Sequence, residues 1–282
     1  MIVPEYWSEA KTRITHDGKQ RTIMRFGWSD TSEDDAHENA KQRVKEAIDH
    51  LQVGKPVRAR DHKVAYNGAE GLPIREEIVE RHGEAVITRN SYGALCLNTP
   101  DVVFADIDVE TPGFLRSMWL LITGAERNPF ATAREGVEKF AVDNPGWLLR
   151  LYRTPKGFRV LVMHDTFDPT DERAFEFMQK LGSDPLYMRM CRNQKCFRAR
   201  ISPKPWRIGV EHIKPRPGVW PVKQEKMNAR RDWIRRYEQK ATRFSSCRYE
   251  ATLGEGRSDR KCEAIRSVHD RYCKADRDLE IA

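Results

Sequence analysis

The stretch LLRLYRTPKGFRVLVMH, residues 148–164, decides the fold class. Two apolar segments, 147–154 and 158–164, lie on either side of Pro155-Lys156-Gly157, and this pattern predicts two strands joined by a tight turn. Strands with so short a link run antiparallel, because a parallel pair needs a crossover of a dozen or more residues. The hairpin therefore predicts a largely antiparallel sheet.

The segments around this hairpin extend the prediction to an α+β fold, with helices flanking the sheet. Apolar runs bounded by turn residues predict further strands, and apolar residues at helical spacing predict helices. The predicted strands cover Ala10–Thr15, Arg21–Trp28, Ala85–Thr88, Ala94–Leu97 and Val102–Asp108, and the predicted helices cover 29–54, Ile74–His82, Phe114–Leu121, 131–145, 170–181 and Val222–Phe244.

We predict three segments from this order of elements. Residues 1–72 form an N-terminal hairpin and helix that pack on the core, 73–221 form the α+β core, and 222–282 form a basic helical C-terminal appendage. The last 36 residues are highly charged, which predicts one weak helix and a frayed end.

The composition indicates a soluble, cytoplasmic protein. Hydrophobic residues make up 39% and charged residues 33% of the 282 residues, and no apolar run approaches the roughly 18–20 residues that span a bilayer. The N-terminal MIVPEYWSEAKTR carries charges early, unlike a secretory signal. Six cysteines in a chain of this length favour reduced thiols over a disulfide scaffold.

The positive charge is concentrated in the last part of the chain. The net charge is +8, and the residues from Lys204 onward hold 20 Lys and Arg against 12 Asp and Glu. Clustered Lys and Arg favour a polyanion such as DNA or RNA as partner, because they displace counterions from a phosphate backbone. A solvated charged helix is the alternative explanation.

The acids of VVFADIDVE, residues 102–110, predict a divalent-metal site. Alternation along a strand places Asp106 and Asp108 on one face and Ile107 on the other. Two neighbouring carboxylates repel each other unless a cation joins them, and Mg²⁺ or Mn²⁺ prefers such oxygen ligands. Glu110 shares their parity and is a third candidate ligand. The alternative is a strand that runs out into solvent.

Two basic segments predict phosphate binding. At the hairpin turn, Gly157 lets the backbone approach a ligand, and Lys156 and Arg159 supply charge that binds phosphate. An ordinary hairpin turn with solvated bases is the alternative. The second segment, 183–209, mixes bases with aromatic residues, as grooves for nucleic acid do, and leaves open whether Trp206 stacks on a base or belongs to the core. The predicted nucleic-acid-binding residues are Arg198, Arg200, Lys204, Arg207, Arg230, Arg231 and Arg235.

Taken in order, these segments resemble the catalytic core of the archaeo-eukaryotic primase (primase-polymerase) superfamily, over roughly Ala85 to Arg207. Asp106 and Asp108 match its first motif, a DxD or DxE at a strand end. The stretch from Thr154 to Arg159 matches the frame of its second motif, and Asp184 is the candidate third acid before the basic stretch. Arg159 stands where the family has His, and Arg is a strong donor to phosphate but not a proton carrier.

The resemblance implies a primase-polymerase, RRM-like core and a nucleotidyltransferase that acts on DNA or RNA. Asp106, Asp108 and Asp184 would be catalytic and would hold Mg²⁺ or Mn²⁺, while Lys156 and Arg159 would clamp a nucleoside triphosphate. The alternatives are a non-catalytic nucleic-acid-binding accessory protein of replication or of a mobile element, and a metal-dependent nuclease.

A second metal site is a weaker candidate at the C-terminal end. Cys247, Cys262, His269 and Cys273 predict a zinc knuckle, because His269 and Cys273 would lie one helical turn apart. Since no CxxC pair accompanies them, ordinary core cysteines are the alternative.

Overall fold

The computed structural model describes residues 1–57, 73–109, 128–216 and 218–282. Within these ranges the chain has an α+β fold of antiparallel sheets flanked by six helices, which confirms the predicted fold class. No helix in the described ranges is long and apolar enough to cross a membrane. In chain order the elements are β1 (Tyr6–His16), β2 (Lys19–Ser29), α1 (Glu33–Gln52), β3 (Glu77–His82), β4 (Ala85–Arg89), β5 (Leu95–Thr99), β6 (Phe104–Asp108), α2 (Pro129–Asp143), β7 (Leu149–Thr154), β8 (Gly157–Val162), α3 (Glu172–Lys180), α4 (Pro185–Gln194), β9 (Phe197–Arg200), α5 (Met227–Ala241), β10 (Phe244–Ser245), β11 (Arg248–Leu253), α6 (Arg260–Cys273) and β12 (Glu280–Ile281).

The N-terminal hairpin and helix form as predicted. Asp17 and Gly18 both have positive φ, 51° and 70°, as a tight type I′ turn requires. The Ser32 side chain accepts a hydrogen bond from the Asp35 N–H and caps α1. This helix buries five residues at helical spacing against the hairpin: Ala36, Ala40, Val44, Ala47 and Leu51.

The prediction of a helix at Ile74–His82 is wrong, because residues 77–82 form strand β3. This strand pairs with β4 across a turn at Gly83, whose φ is 59°. Acidic residues near the start of a segment are typical of a helix N-terminus, and they led to the wrong prediction. The strand forms because it pairs with β4. The helix predicted at Phe114–Leu121 and the candidate ligand Glu110 lie outside the described residues.

Two four-stranded antiparallel sheets build the body, in the orders β3-β4-β5-β9 and β11-β7-β8-β6. In the second sheet Asp106 lies opposite Arg159, and Asp108 lies opposite Gly157. The edge strands β6 and β9 come together at the junction of the sheets. There the hydroxyl of Tyr187 lies 2.8 Å from the carbonyl oxygens of both Phe104 and Arg198.

Apolar side chains on the two faces of the second sheet enter different cores. On one face Ile107, Phe158 and Val160 pack with α2, α3 and α4 through residues such as Phe140 and Met178. On the other face the sheet packs against α6 and the first sheet; Phe104, Tyr152, Leu161, Leu97, Cys247, Cys262, Ile265 and Cys273 belong to this core. Burying one large apolar side chain contributes about 1.5–3 kcal/mol, so both faces of the sheet are firmly held.

The C-terminal end is not frayed, contrary to the prediction. Strand β11 pairs with β7, and β12 pairs in parallel with β10. The Ala282 N–H donates to the Ser245 carbonyl oxygen at 2.9 Å, and Ala282 is 3% exposed. Residues 222–282 therefore share a sheet and a core with the body. The sequence did not predict their strands, because the segment is highly charged and each strand pairs with a partner far along the chain.

Candidate phosphate and metal site

A cavity of about 270 Å³ opens where the two sheets meet. It is lined by the ends of β6, β7 and β9, by the first turn of α4 and by the stretch after β9. Ten of the predicted site residues line it: Asp106, Asp108, Thr154, Lys156, Arg159, Asp184, Arg198, Arg200, Lys204 and Arg207. The tertiary structure thus assembles residues that the sequence separates by about a hundred positions.

Two of the acids come from β6, with the alternation that the sequence predicts. Ile107 points into the core and is 5% exposed, while Asp106 and Asp108 face the cavity. Shielding by the cavity walls raises the pKa of Asp108, and the nearby carboxylates of Asp106 and Asp184 raise it further. The carboxylates of these three acids are therefore close enough to repel one another, and Lys156 and Lys204 offset part of that repulsion.

The third acid, Asp184, is tied to β6 by the backbone. Its N–H donates to the Asp106 carbonyl oxygen at 2.9 Å, and its Oδ1 accepts from the Tyr187 N–H at 2.7 Å, which caps α4. Ser183 adds a hydrogen bond from its hydroxyl to the same Asp106 carbonyl oxygen at 3.0 Å. These bonds fix the third carboxylate beside the first two.

Arg159 is bound to Asp106 and does not extend into the cavity as a free cation. Its Nε and Nη2 lie 2.7 and 3.2 Å from Oδ1 and Oδ2 of Asp106, and Nη1 donates to the Arg200 carbonyl oxygen at 2.8 Å. Burial alone would lower the pKa of Arg159, but the Asp106 carboxylate raises it well above its usual range. A phosphate would have to compete with Asp106 for this guanidinium.

The cavity also has a basic wall, to which Lys156, Arg200, Lys204 and Arg207 belong. Burial lowers the pKa of Lys204 to about 8, and the neighbouring charges of Arg200, Arg207 and Lys156 lower it further. Burial and Arg200 also lower the pKa of Arg207. Cations that repel one another in a half-buried cavity bind an anion favourably, because its charge relieves the repulsion.

Arg198 has a structural partner at the back of this wall. It is 7% exposed, and its Nη2 lies 2.7 Å from Oε2 of Glu76. Arg200, by comparison, is partly exposed and donates to the Ser202 carbonyl oxygen at 2.6 Å. Arg200 lines the cavity together with Lys204 and Arg207, which follow it in the sequence, and these three residues contribute positive charge there.

Gly157 is required by the neighbouring strand. A Cβ at this position would collide with the Ile107 carbonyl oxygen of β6. The close approach that glycine allows here is thus between β8 and β6, and it places Lys156 in the turn beside Asp108. The sequence pattern predicted an approach of the backbone to a ligand instead.

Trp206 lies at the surface and not in the core. It is 47% exposed, with its ring centroid 5.3 Å from that of Tyr92 and 5.0 Å from that of His212. The Lys204 ammonium lies 5.6 Å from the centroid of the same ring. An exposed indole at the rim of a basic cavity is suited to stacking on a nucleobase.

The predicted arginines of α5 divide into two groups. Arg230 is 1% exposed, and its Nη2 lies 2.7 Å from Oε2 of Glu77, so it holds α5 against β3. This burial removes Arg230 from the predicted nucleic-acid-binding set. Arg231 and Arg235 are exposed on the outer face of the helix and do not line the cavity.

Leu186 and Met190, from α4, line the cavity and were not predicted as site residues. The only local signal was Asp184 before Pro185, a sequence that favours the start of a helix. Tyr187, one of the aromatic residues in the basic segment 183–209, lines the cavity as well. The polar turn between β4 and β5 lies just upstream of the acids in the sequence, so it is a candidate to line the same pocket, and the structure places Tyr92 there.

Comparisons with family models, with curated proteins and with solved structures found no match to this chain. The resemblance to primase-polymerases therefore stays a prediction based on the residues quoted above.

Proposed function

We propose that the cavity binds a nucleoside triphosphate together with Mg²⁺ or Mn²⁺, and that the protein is a divergent primase-polymerase-like nucleotidyltransferase. The observation that carries the proposal is that one cavity is lined by two groups of charged residues, which we call its acidic wall and its basic wall. Asp106, Asp108 and Asp184 supply the acidic wall, and Lys156, Arg200, Lys204 and Arg207 supply the basic wall. Phosphoryl and nucleotidyl transfer need this combination of metal ligands and phosphate-binding cations.

The acidic wall fits a hard divalent cation. Burial and the neighbouring carboxylates of Asp106 and Asp184 raise the pKa of Asp108, and a bound cation would relieve the repulsion among these acids. Asp184 offers Oδ2 in addition to the oxygen that caps α4. Asp106 would become a further metal ligand once its hydrogen bonds to Arg159 are broken. A bound divalent ion would supply Lewis-acid stabilisation of phosphate charge at this wall.

The basic wall and its rim suit the remaining parts of a nucleotide. Lys204 and Arg207 would bind the phosphates, and Lys156, in the hairpin turn beside Asp108, would add a third positive charge. Trp206 would stack on a base, while the exposed Arg231 and Arg235 would contact the backbone of DNA or RNA. Six buried, unpaired cysteines support a reducing, cytoplasmic environment.

One observation favours a second function, a non-catalytic nucleic-acid-binding protein. The bidentate pair of Arg159 with Asp106 satisfies one of the proposed metal ligands internally. If this pair persists when nucleotide binds, the cavity would recognise phosphate without transferring it.

A labelled primer-template with nucleotides and Mn²⁺ or Mg²⁺ separates these functions. Metal-dependent extension that is lost in Asp106→Ala/Asp108→Ala and retained in Asp143→Ala supports the proposal; Asp143 is an exposed acid at the end of α2. Cleavage in place of extension would indicate a nuclease. A shift in mobility that survives loss of both acids but weakens in Arg231→Glu/Arg235→Glu would indicate the non-catalytic binder.

Calorimetry provides the limiting test. If the wild-type protein binds no nucleoside triphosphate in the presence of Mn²⁺, the proposed nucleotidyltransferase function is wrong. Charge reversal in α5 is preferable to removal of residues 222–282, because truncation would also delete β11 and α6.

A further inference from the structure

Behind Arg159, in the core between the sheet and α6, three potential metal ligands lie together. The sulfur atoms of Cys247 and Cys273 and a ring nitrogen of His269 all lie within 4.8 Å of one another. The three side chains are 0%, 1% and 0% exposed. This cluster is separate from the acids of the cavity and has donors of a different chemical type.

The spacing of the donors fits a tetrahedral zinc ion. Nε2 of His269 lies 3.4 Å from Sγ of Cys273 and 3.9 Å from Sγ of Cys247. Zinc bonds of about 2.3 Å to sulfur and about 2.0–2.1 Å to nitrogen, at tetrahedral angles, separate such donors by roughly 3.5–3.8 Å. Only small movements of the side chains are therefore needed to bind the ion.

The position of His269 is fixed by the residues around it. Its Nδ1 lies 2.9 Å from Oδ1 of Asp270, and the same oxygen accepts a hydrogen bond from the Tyr152 hydroxyl at 2.6 Å. Zinc-binding histidines commonly donate their second ring N–H to a carboxylate in this way. Nδ1 thus carries the proton, and Nε2 presents its lone pair toward the two sulfurs.

The fourth predicted ligand, Cys262, does not belong to the cluster. It lies on the first turn of α6, and its sulfur is 3.4 Å from the Asp165 carbonyl oxygen. His269 and Cys273 lie one turn apart near the end of the same helix, and Cys247 joins them from the link between β10 and β11. The fold thus selects three of the four candidates.

The electrostatic environment is compatible with a divalent ion bound by two thiolates. Arg159 Nη1 lies 3.4 Å from Nε2 of His269, so a guanidinium borders the cluster. Two thiolates neutralise Zn²⁺, so the site that borders Arg159 would carry no net charge. The guanidinium therefore does not lie against an excess of positive charge, whether or not it is paired with Asp106.

We propose that Cys247, His269 and Cys273 bind Zn²⁺ as its three protein ligands, with a water molecule completing the four-coordinate geometry. The ion joins the end of α6 to the segment before β11, directly behind the Arg159–Asp106 pair. It would therefore stabilise the back of the acidic wall without entering the cavity. A purely apolar packing of two thiols around a histidine is the competing explanation.

The test measures metal in the full-length protein, purified under reducing conditions. We expect about one equivalent of zinc by plasma mass spectrometry, lost in Cys247→Ser and in Cys273→Ser. Cys262→Ser is the matched control, because this buried cysteine lies on the same helix outside the cluster, and it should retain the ion. Absence of zinc, or equal zinc in all three variants and the wild type, would overturn the proposal.

A measurement on the wild-type chain covers the case in which the serine variants do not fold. After removal of metal by a chelator, addition of Co²⁺ should produce a thiolate-to-cobalt charge-transfer band, and Zn²⁺ should displace it. Zn²⁺ should also slow alkylation of Cys247 and Cys273 relative to Cys262. Absence of the cobalt band, or a Cys247–Cys273 disulfide in the intact mass of freshly purified protein, would contradict the site.

Discussion

Arg159 binds both carboxylate oxygens of Asp106 across neighbouring strands, at 2.7 and 3.2 Å. The two residues are directly opposed in the register of β6 and β8. In the proposed resemblance to primase-polymerases, Arg159 takes the place of a histidine, and in this structure it is the counterion of Asp106. This pair links the stability of the sheet to the availability of a metal ligand.

Arg159→Met should destabilise the protein by about 3 kcal/mol, because it leaves a carboxylate without its partner in a mostly buried position. Losing one partner of a buried ion pair usually costs about 3–5 kcal/mol, and we expect the low end of that range because the Asp106 side chain is 30% exposed. Urea unfolding measures the effect. The double variant Asp106→Asn/Arg159→Met should lose less than the sum of the two single changes, and additive losses would show that the pair is not coupled.

Lys204 should make nucleotide binding dependent on pH. Its pKa is lowered to about 8, so the ammonium is present below that pH and is lost as the pH rises through it. We therefore expect the affinity for a nucleoside triphosphate, measured by calorimetry, to fall between about pH 7 and pH 9. Lys204→Arg should remove this dependence because arginine stays charged, and an unchanged pH profile in that variant would exclude Lys204 as its source.

Asp108→Asn should leave the free protein at least as stable as the wild type while abolishing its response to divalent ions. The raised pKa of Asp108 means that the ionised side chain is unfavourable in the fold above its unfolded pKa, so the neutral amide removes that cost. Thermal unfolding with and without Mn²⁺ tests both parts. A shift in Tm on adding Mn²⁺ that equals the wild-type shift would place the ion elsewhere.

Gly157→Ala should destabilise the protein by about 1–3 kcal/mol, because the added methyl group collides with the Ile107 carbonyl oxygen and separates β8 from β6. Gly136→Ala in α2 is the matched control. Nothing lies within 4 Å of a Cβ at that position, so helix propensity predicts a gain of about 0.5–1 kcal/mol. Denaturant unfolding measures the free energy of unfolding of both variants. An equal change in the two would contradict this explanation.

Trp206→Ala should weaken binding of a single-stranded oligonucleotide by about 1–3 kcal/mol with little change in folding stability, because the ring is exposed and would stack on a base. Trp206→Phe keeps an aromatic face and should retain most of the affinity. Fluorescence anisotropy with a labelled oligonucleotide provides the measurement. Equal affinity of the alanine variant and the wild type would assign the indole a packing role beside Tyr92.

The local patterns of the sequence were sufficient for the elements that depend on near neighbours. The turn at Asp17-Gly18, the five apolar residues of α1 and the alternation of Asp106, Ile107 and Asp108 follow from backbone geometry within a few residues. The three acids and the basic stretch could also be identified as one candidate site, and they line one cavity.

The tertiary structure alone decided which charges remain available. Arg159 and Arg230 look like phosphate-binding residues in the sequence, but distant carboxylates at Asp106 and Glu77 bind them in the fold. The strand at 77–82, the strand at 248–253 and the exclusion of Cys262 from the cysteine–histidine cluster likewise depend on partners far along the chain. Periodicity reports which face of an element is apolar, but sheet order and register determine which charges meet, and no local pattern contains them.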